Sequence, residues 1–164
     1  MNKAIVLAAA LGLAACQPSG SNTAVEETGG SNATAVVESF YAAAAAGDAE
    51  TIGALLGDDV VWNEAEGSPF AGGNPYIGAE AVAGGVFGAI GAAYADFAGV
   101  PERFTTEGNR VVVEGRYTGT NNATGEPLDA QFVHVFTVDG DTIESFQQYT
   151  DTFQWRRTSG TLED

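Results

Sequence analysis

The sequence feature that most constrains the fold is a predicted β-hairpin near the carboxyl end of the chain. It covers residues 131–154, where two runs rich in β-branched and aromatic residues flank the turn residues Asp139, Gly140 and Asp141. A short turn of this composition between two such runs is typical of a β-hairpin. Both runs also carry many hydrogen-bonding side chains, which a strand that only covers a core seldom needs. We therefore interpret the hairpin as one wall of a pocket.

The turn also predicts how the two strands pair. A two-residue loop formed by Gly140 and Asp141 sets the residues on either side opposite one another. This register places His134 and Gln148 on opposite faces of the hairpin, because side chains alternate along a strand. The predicted pairs are Val138 with Ile143, Phe136 with Ser145, His134 with Gln147, and Phe132 with Tyr149.

The composition indicates one domain and excludes several kinds of partner. The chain has 164 residues, 45% of them hydrophobic, which is enough for a single core. Its net charge of −16 repels phosphate backbones, so no nucleic-acid partner is expected. One His and one Cys provide no zinc cluster of the usual kind, and the only lysine, Lys3, follows no glycine-rich phosphate loop. The sequence therefore predicts neither a metal nor a cofactor.

The start of the chain is typical of an export signal. Lys3 precedes an apolar run at 4–13, which is shorter than the roughly 20 residues that a membrane-spanning helix needs. The motif LAAC that ends at Cys16 resembles the bacterial lipobox, in which the cysteine is lipidated; an ordinary secretory signal is the alternative. By the same resemblance, Gln17 after the cysteine implies an outer-membrane protein facing the periplasm.

This signal sets the predicted domain organisation. A lipoprotein signal peptide covers 1–15, and the lipidated Cys16 begins a flexible tether at 16–32, which is rich in Pro, Ser, Gly, Thr and Glu. A folded domain follows at 33–155, and a tail covers 156–164. Only the lipid anchor is expected to contact the membrane.

The folded part is predicted to run helix, helix, strand, helix and then four strands, which makes an α+β fold. Ser31 or Asn32 is expected to cap the first helix, and Asp48 the second, which Gly57 ends. A glycine-rich third helix is expected at 79–95, with its glycines serving close packing or a movable lid. Strands are predicted at 60–64, 97–106, 110–120, 129–138 and 142–153. The apolar face of the first helix carries Val36, Val37, Phe40, Tyr41 and Ala44.

Three segments, at 60–78, 111–136 and 143–152, carry a resemblance to a known family. They read VVWNEAEGSPFAGGNPYIG, VVVEGRYTGTNNATGEPLDAQFVHVF and IESFQQYTDT. They resemble the SnoaL-like and ketosteroid isomerase-related branch of the nuclear transport factor 2-like superfamily, over about residues 33–155. The resemblance implies a cone-like curved antiparallel sheet wrapped over the N-terminal helices and enclosing a pocket. It also implies that a homodimer formed through the sheet is one available assembly.

The same resemblance limits which reaction is expected. Polyketide cyclases and epoxide hydrolases of this superfamily resemble one another in an Asp on the last strand. Gln148 stands at the matching position, and an amide cannot act as a general base. The hydrolase also has an Arg-x-Asp pair, whereas Arg116 is followed by Tyr117 and Thr118. The resemblance therefore does not carry those two activities over.

Glu64 and His134 are the candidate catalytic residues. Burial of Glu64 at a pocket mouth would raise its pKa toward that of a useful base, whereas a solvated edge carboxylate is the alternative. His134 lies in an apolar strand, so its imidazole is expected to be buried with a lowered pKa; a hydrogen-bonded core residue is the alternative. Core packing is the alternative for the aromatic candidates, and strand capping for Asp151. The candidate ligand-binding residues are Trp62, Tyr76, Tyr117, Gln148, Tyr149 and Asp151.

Three functions stay open at this point. The first is binding of a small, apolar or weakly polar molecule in the pocket of a membrane-anchored domain. The second is an isomerase-, cyclase- or hydrolase-type enzyme that transfers a proton through Glu64 or His134. The third is a protein-interaction module. The amide of Gln148 in place of an acid favours the first.

Overall fold

The computed structural model describes residues 28–162 of the chain. The predicted signal peptide, Cys16 and residues 17–27 of the predicted tether lie outside the described residues. None of the helices in the described range is long and apolar enough to cross a membrane.

Helices and strands follow the predicted α+β order. The helices are α1 (Thr28–Ala46), α2 (Ala49–Leu55), α3 (Ala79–Val82), α4 (Ala89–Ala93) and α5 (Thr152–Thr158). A π-helical segment, Ala83–Gly88, joins α3 to α4 without a break, and we call this whole run the segmented helix. The strands are β1 (Leu56–Asn63), β2 (Tyr76–Ile77), β3 (Tyr94–Glu107), β4 (Arg110–Asn121), β5 (Pro127–Asp139) and β6 (Thr142–Thr150).

The six strands form one curved sheet in the order β2-β1-β6-β5-β4-β3. The predicted fold class is confirmed, although the sheet is mixed rather than wholly antiparallel, because β1 pairs with β6 in parallel. The chain between β1 and β6 is long, so no hairpin dictates the direction of this pair. Along β4 and β5 buried residues alternate with exposed or partly exposed ones, so the sheet has an inner apolar face. That face and the helices enclose the core.

The predicted register of the β5–β6 hairpin is correct at the turn and wrong beyond it. Val138 pairs with Ile143 as predicted, but Thr137 pairs with Ser145, which leaves Glu144 as the extra residue of a β-bulge. The bulge turns both Ile143 and Phe146 toward the core. Every later pair is shifted by one residue. His134 therefore lies opposite Gln148, on the same face.

Both ends of the folded part differ from the prediction. Helix α1 already includes Asn32, whose side chain donates to the Gly140 carbonyl at 2.7 Å instead of capping the helix. At the other end β6 stops at Thr150, and helix α5 follows. Asp151 caps α5 by accepting from the Gln154 amide at 3.1 Å, which ends the strand as the capping alternative predicted. This helix buries Trp155 against the sheet.

Candidate functional site

A cavity of about 590 Å³ lies between the inner face of the sheet, the helices α1 and α2, and the segmented helix. Most of its wall is aromatic or aliphatic, and its volume is in the range of cavities that hold small organic molecules. The aromatic residues that line it are Phe40, Tyr41, Trp62, Phe87, Tyr94, Phe97, Tyr117 and Phe146. Trp62 stacks on Phe146 with the ring centroids 3.6 Å apart.

The solvent-exposed part of the cavity lining consists of small residues. The lining residues that are exposed to solvent all lie on α1, on the corner between α1 and α2, on α2, or on the segmented helix. They are Ala44, Gly47, Ala49, Gly53, Ala83, Gly88 and Gly91.

Glu64 is the buried carboxyl group of the cavity. The side chain follows β1, and only 2% of the residue is exposed. The indole nitrogen of Trp62 donates to Glu64 Oε1 at 2.8 Å, and the side chain of Asn74 bonds both the N–H and the carbonyl of the Glu64 backbone. Burial raises the pKa of Glu64 to about 7, and hydrogen bonds from Trp62 and Gln148 offset part of that rise. Near neutral pH this group therefore exists in both protonation states.

His134 is held in its neutral form on the central strand β5. Its Nδ1 lies 2.6 Å from the hydroxyl of Tyr41, and its Nε2 makes a short hydrogen bond with the hydroxyl of Tyr117. Burial lowers the pKa of His134 to about 3. Both ring nitrogens are thus occupied, and the imidazole is uncharged at neutral pH.

Gln148 links these polar groups into one cluster. Its Nε2 donates to Tyr117 at 2.9 Å, and its Oε1 accepts from the backbone N–H of Ala65 at 3.2 Å. The backbone contact fixes which end of the amide is oxygen. A polar patch in a mostly apolar cavity is therefore formed by Glu64, Tyr117, His134 and Gln148.

The structure brings together five of the eight candidate residues and separates the other three. Glu64, Trp62, Tyr117, His134 and Gln148 all line the cavity. The remaining three do not line it. They are Tyr76, Tyr149 and Asp151.

Each of the three excluded residues has a physical reason for its place. Tyr76 packs between Gly73 and Gly85, where an added Cβ would collide with its ring, and it donates to the Phe70 carbonyl at 2.7 Å. Tyr149 is 58% exposed on the outer face of β6, because the bulge changes which residues face inward. Asp151 is the cap of α5.

Two further aromatic residues of the cavity lining come from α1 and were not among the site candidates. The helical pattern places Phe40 and Tyr41 on an apolar face, which by itself indicates core packing. The structure places Tyr41 beside His134, 93 residues away in the chain. A tyrosine on an otherwise apolar helix face was the one signal for this role, because a buried hydroxyl needs a partner.

No metal centre is formed within residues 28–162. Among these residues no group of three or more His, Cys, Asp or Glu side chains is placed to hold an ion.

Residues 37–146 match the family model of the SnoaL-like domain, which is more than half of the chain. The chain belongs to the SnoaL-like domain family. None of the curated proteins compared with it is a match. An NTF2-like protein from Burkholderia thailandensis E264 is 28% identical, with a TM-score of 0.73 over 77% of this chain and 95% of that one.

Two further solved structures share the fold of this SnoaL-like domain at lower identity. IdmH from Streptomyces antibioticus, a proposed polyketide cyclase, is 20% identical with a TM-score of 0.67, over 78% of this chain and 98% of its own. TerC, which was co-crystallised with polyporic acid, is 21% identical with a TM-score of 0.70, over 79% of this chain and 98% of its own. At these identities the likeness extends to the fold alone.

Proposed function

We propose that this SnoaL-like domain binds a small, largely apolar molecule inside its cavity. One observation carries the proposal: a cavity of about 590 Å³ has mostly apolar walls and a few polar groups, of which His134, Tyr117 and Gln148 are joined by hydrogen bonds. Such a cavity fits an apolar body with one or two polar atoms. The crystal of TerC with polyporic acid supports a small organic ligand for this fold.

Charge favours a neutral or weakly polar ligand. Among the residues that line the cavity no Lys or Arg is present to pair with an anion. An unpaired charge is costly to bury, and the net charge of −16 disfavours anions further.

The test is a binding screen with steroid-like, terpenoid and polyketide-like compounds. A compound that binds only the folded chain stabilises it by about 2.7 kcal/mol at a hundred times its dissociation constant, which raises the melting temperature. Trp62 lines the cavity, whereas Trp155 does not, so a hit should change the fluorescence of wild type. The same hit should leave the fluorescence of Trp62→Phe nearly unchanged while still raising its melting temperature.

The outcome separates binding from protein interaction. If no compound raises the melting temperature and the fluorescence stays constant, binding of this ligand class fails. An interaction module, in which the sheet binds a protein, would then be the better proposal.

A second candidate is an enzyme that transfers a proton through Glu64. The observation that favours it is the buried carboxyl group of Glu64 in the cavity lining. Burial raises the pKa of Glu64 to about 7, which suits a group that both accepts and donates a proton near neutral pH. A compound from the screen that is chemically converted would identify this function. Glu64→Gln should then abolish turnover and leave binding within a few-fold of wild type. If Glu64→Gln converts the compound at the wild-type rate, Glu64 is not the proton carrier.

We also propose that a lipid on Cys16 anchors the domain to the outer membrane, facing the periplasm. The lipobox-like ending before Cys16 supports this. Cys16→Ser should move the protein from the membrane fraction to the soluble fraction in detergent-free extracts. A Ser variant that stays in the membrane fraction contradicts the anchor.

A further inference from the structure

Glu64 is a buried carboxyl group without a counterion. Only 2% of the residue is exposed, and it lines the cavity. The ion pairs found among residues 28–162 join three arginines to exposed carboxylates elsewhere on the domain, and none of them includes Glu64. Among the described residues that line the cavity none is Lys or Arg, and the lowered pKa of His134 keeps its imidazole neutral. The carboxylate form of Glu64 therefore lacks a positive partner in this part of the chain.

The Glu64 carboxylate can accept further hydrogen bonds. A carboxylate has about four acceptor positions on its two oxygens. Trp62 donates to Oε1 at 2.8 Å, and Gln148 supplies the second side-chain hydrogen bond. Both of these donors are neutral. The hydrogen bonds of Asn74 go to the backbone of Glu64 and not to its carboxyl group. Acceptor positions of the carboxylate are therefore left for a ligand that lies in the cavity.

A neutral side chain at this position would satisfy Trp62 at a lower cost. The amide oxygen of a glutamine also accepts a hydrogen bond, and it carries no charge to desolvate. Burial raises the pKa of Glu64 to about 7 because the carboxylate is destabilised inside the cavity. A cation beside the carboxylate offsets this desolvation. A positive group on the ligand would thus supply what the described residues lack.

The aromatic wall next to Glu64 also suits a cation. Trp62, whose indole nitrogen bonds the carboxyl group, lines the cavity together with Phe40 and Phe87. The centroid of the Trp62 ring lies 5.4 Å from that of Phe87 and 5.9 Å from that of Phe40. The faces of aromatic rings attract cations. The net charge of −16 raises the concentration of cations near the protein as well.

We propose that Glu64 binds the protonated amine of a largely apolar ligand, so the cavity selects apolar amines over apolar alcohols and acids. The ammonium group donates a hydrogen bond to the carboxylate, and the hydrocarbon part contacts the aromatic wall. The ion pair is neutral as a whole, which agrees with a cavity that disfavours an unpaired charge. This inference rests on the proposed binding of a small, largely apolar molecule.

The test compares three compounds with the same apolar cage, namely 1-adamantanamine, 1-adamantanol and adamantane-1-carboxylate. Titration calorimetry on the full chain at neutral pH should show the tightest binding for the amine and the weakest for the carboxylate. Glu64→Gln keeps the size of the side chain and removes its charge. The ratio of the amine affinity to the alcohol affinity should therefore fall by at least about tenfold. An equal ratio in wild type and Glu64→Gln overturns the proposal.

Glu66→Gln is the matched control. It makes the same chemical change two residues further along the chain, but Glu66 is exposed and does not line the cavity. Both variants remove one negative charge, so a preference for the amine that came only from net charge would change equally in the two. The ratio of the two affinities in Glu66→Gln should stay as in wild type. A fall as large as in Glu64→Gln would overturn the assignment to Glu64.

A pH series tests the ion pair without any substitution. Glu64 must lose its proton to pair with an ammonium group, so the amine affinity should rise by up to about tenfold per unit between about pH 5 and 7. An alkylammonium group and the neutral His134 keep their protonation states in this range. The alcohol affinity should therefore stay constant. An amine affinity that does not change with pH overturns the proposal.

The same titrations separate this inference from the binding function on which it rests. If wild type binds the alcohol at least as tightly as the amine, the amine assignment fails and the binding function stands. If wild type binds none of the three compounds, the amine assignment also fails, and the screen of neutral compounds described above decides the binding function.

Discussion

The two faces of the sheet favour opposite forms of an ionisable group, the charged form outside and the neutral form inside. On the outer face Arg116 and Asp129 form an exposed ion pair, and their hydrogen bond raises the pKa of Arg116 and lowers that of Asp129. On the inner side burial raises the pKa of Glu64 and lowers that of His134. Solvent and pairing thus favour charged forms outside, and desolvation favours neutral forms inside.

This difference follows from alternation along single strands. Arg116 and Tyr117 are neighbours on β4, yet one meets water and Asp129 while the other is buried against His134 and Gln148. Burying a polar group in an apolar cavity costs least free energy when the group is neutral and hydrogen-bonded. The polar groups of the inner face are therefore mostly uncharged, whereas the outer face carries charged side chains.

The largest expected difference between the faces is in packing. Phe136 is fully buried and Tyr149 is 58% exposed. Phe136→Ala should lower the free energy of unfolding by about 3–5 kcal/mol, because it removes buried contacts and leaves a cavity. Tyr149→Ala should change it by less than about 0.5 kcal/mol. Urea denaturation measures both, and equal losses would mean that the outer face is also covered.

Adding a methyl group to the inner face tests whether its packing also leaves no room for extra atoms. At Gly115 a Cβ would collide with the ring of Phe132 and with the Val100 carbonyl. Gly115→Ala should destabilise the fold by about 1–3 kcal/mol through overpacking. Gly53→Ala is the control, since a Cβ there meets no atom within 4 Å and replaces a helical glycine. It should leave stability equal or higher.

The pH dependence of stability tests the two buried groups separately. His134 has a folded pKa below its ordinary value of 6.5. Its contribution to the free energy of unfolding is therefore complete above pH 6.5 and is lost as the pH falls toward 3. Glu64 has a folded pKa above its ordinary 4.5, so its contribution is complete below 4.5 and is lost as the pH rises through 7. Between pH 4.5 and 6.5 the two slopes oppose each other.

Single substitutions should show how much Glu64 and His134 each contribute to the change of stability with pH. Relative to wild type, the stability of Glu64→Gln should fall more steeply as the pH drops from 6.5 to 4.5, by at most about 1.4 kcal/mol per pH unit. The stability of His134→Gln should instead rise more steeply as the pH drops from 7 to 4.5. Denaturation at several pH values measures both. Parallel curves for wild type and a variant would show that the substituted group is not desolvated.

The smallest effect is expected at the outer ion pair. Exposed ion pairs are screened by solvent and salt. At physiological ionic strength, Arg116→Ala should therefore have the same denaturation midpoint as wild type within error. A clear loss of stability that persists in high salt would show that this face is protected from water.

Local chemistry in the sequence determined much of this architecture. Alternating residues predicted the buried face of β4, and turn residues at 139–141 predicted the hairpin. Asp48 caps α2 as predicted, accepting from the Thr51 amide at 3.0 Å. Burial of His134 also followed from its apolar neighbours. Each of these depends on residues close together in the chain, where propensity and pattern act directly.

Only the tertiary structure decided which of these groups meet. The bulge at Glu144 places Gln148 beside His134, and α1 delivers Tyr41 to the same ring from the other end of the domain. The exclusion of Tyr149 from the cavity has the same origin. Register beyond a bulge and contacts between distant elements depend on how whole faces pack. A local sequence pattern does not contain these long-range interactions, so the hydrogen-bonded polar groups of the cavity come together only in the folded protein.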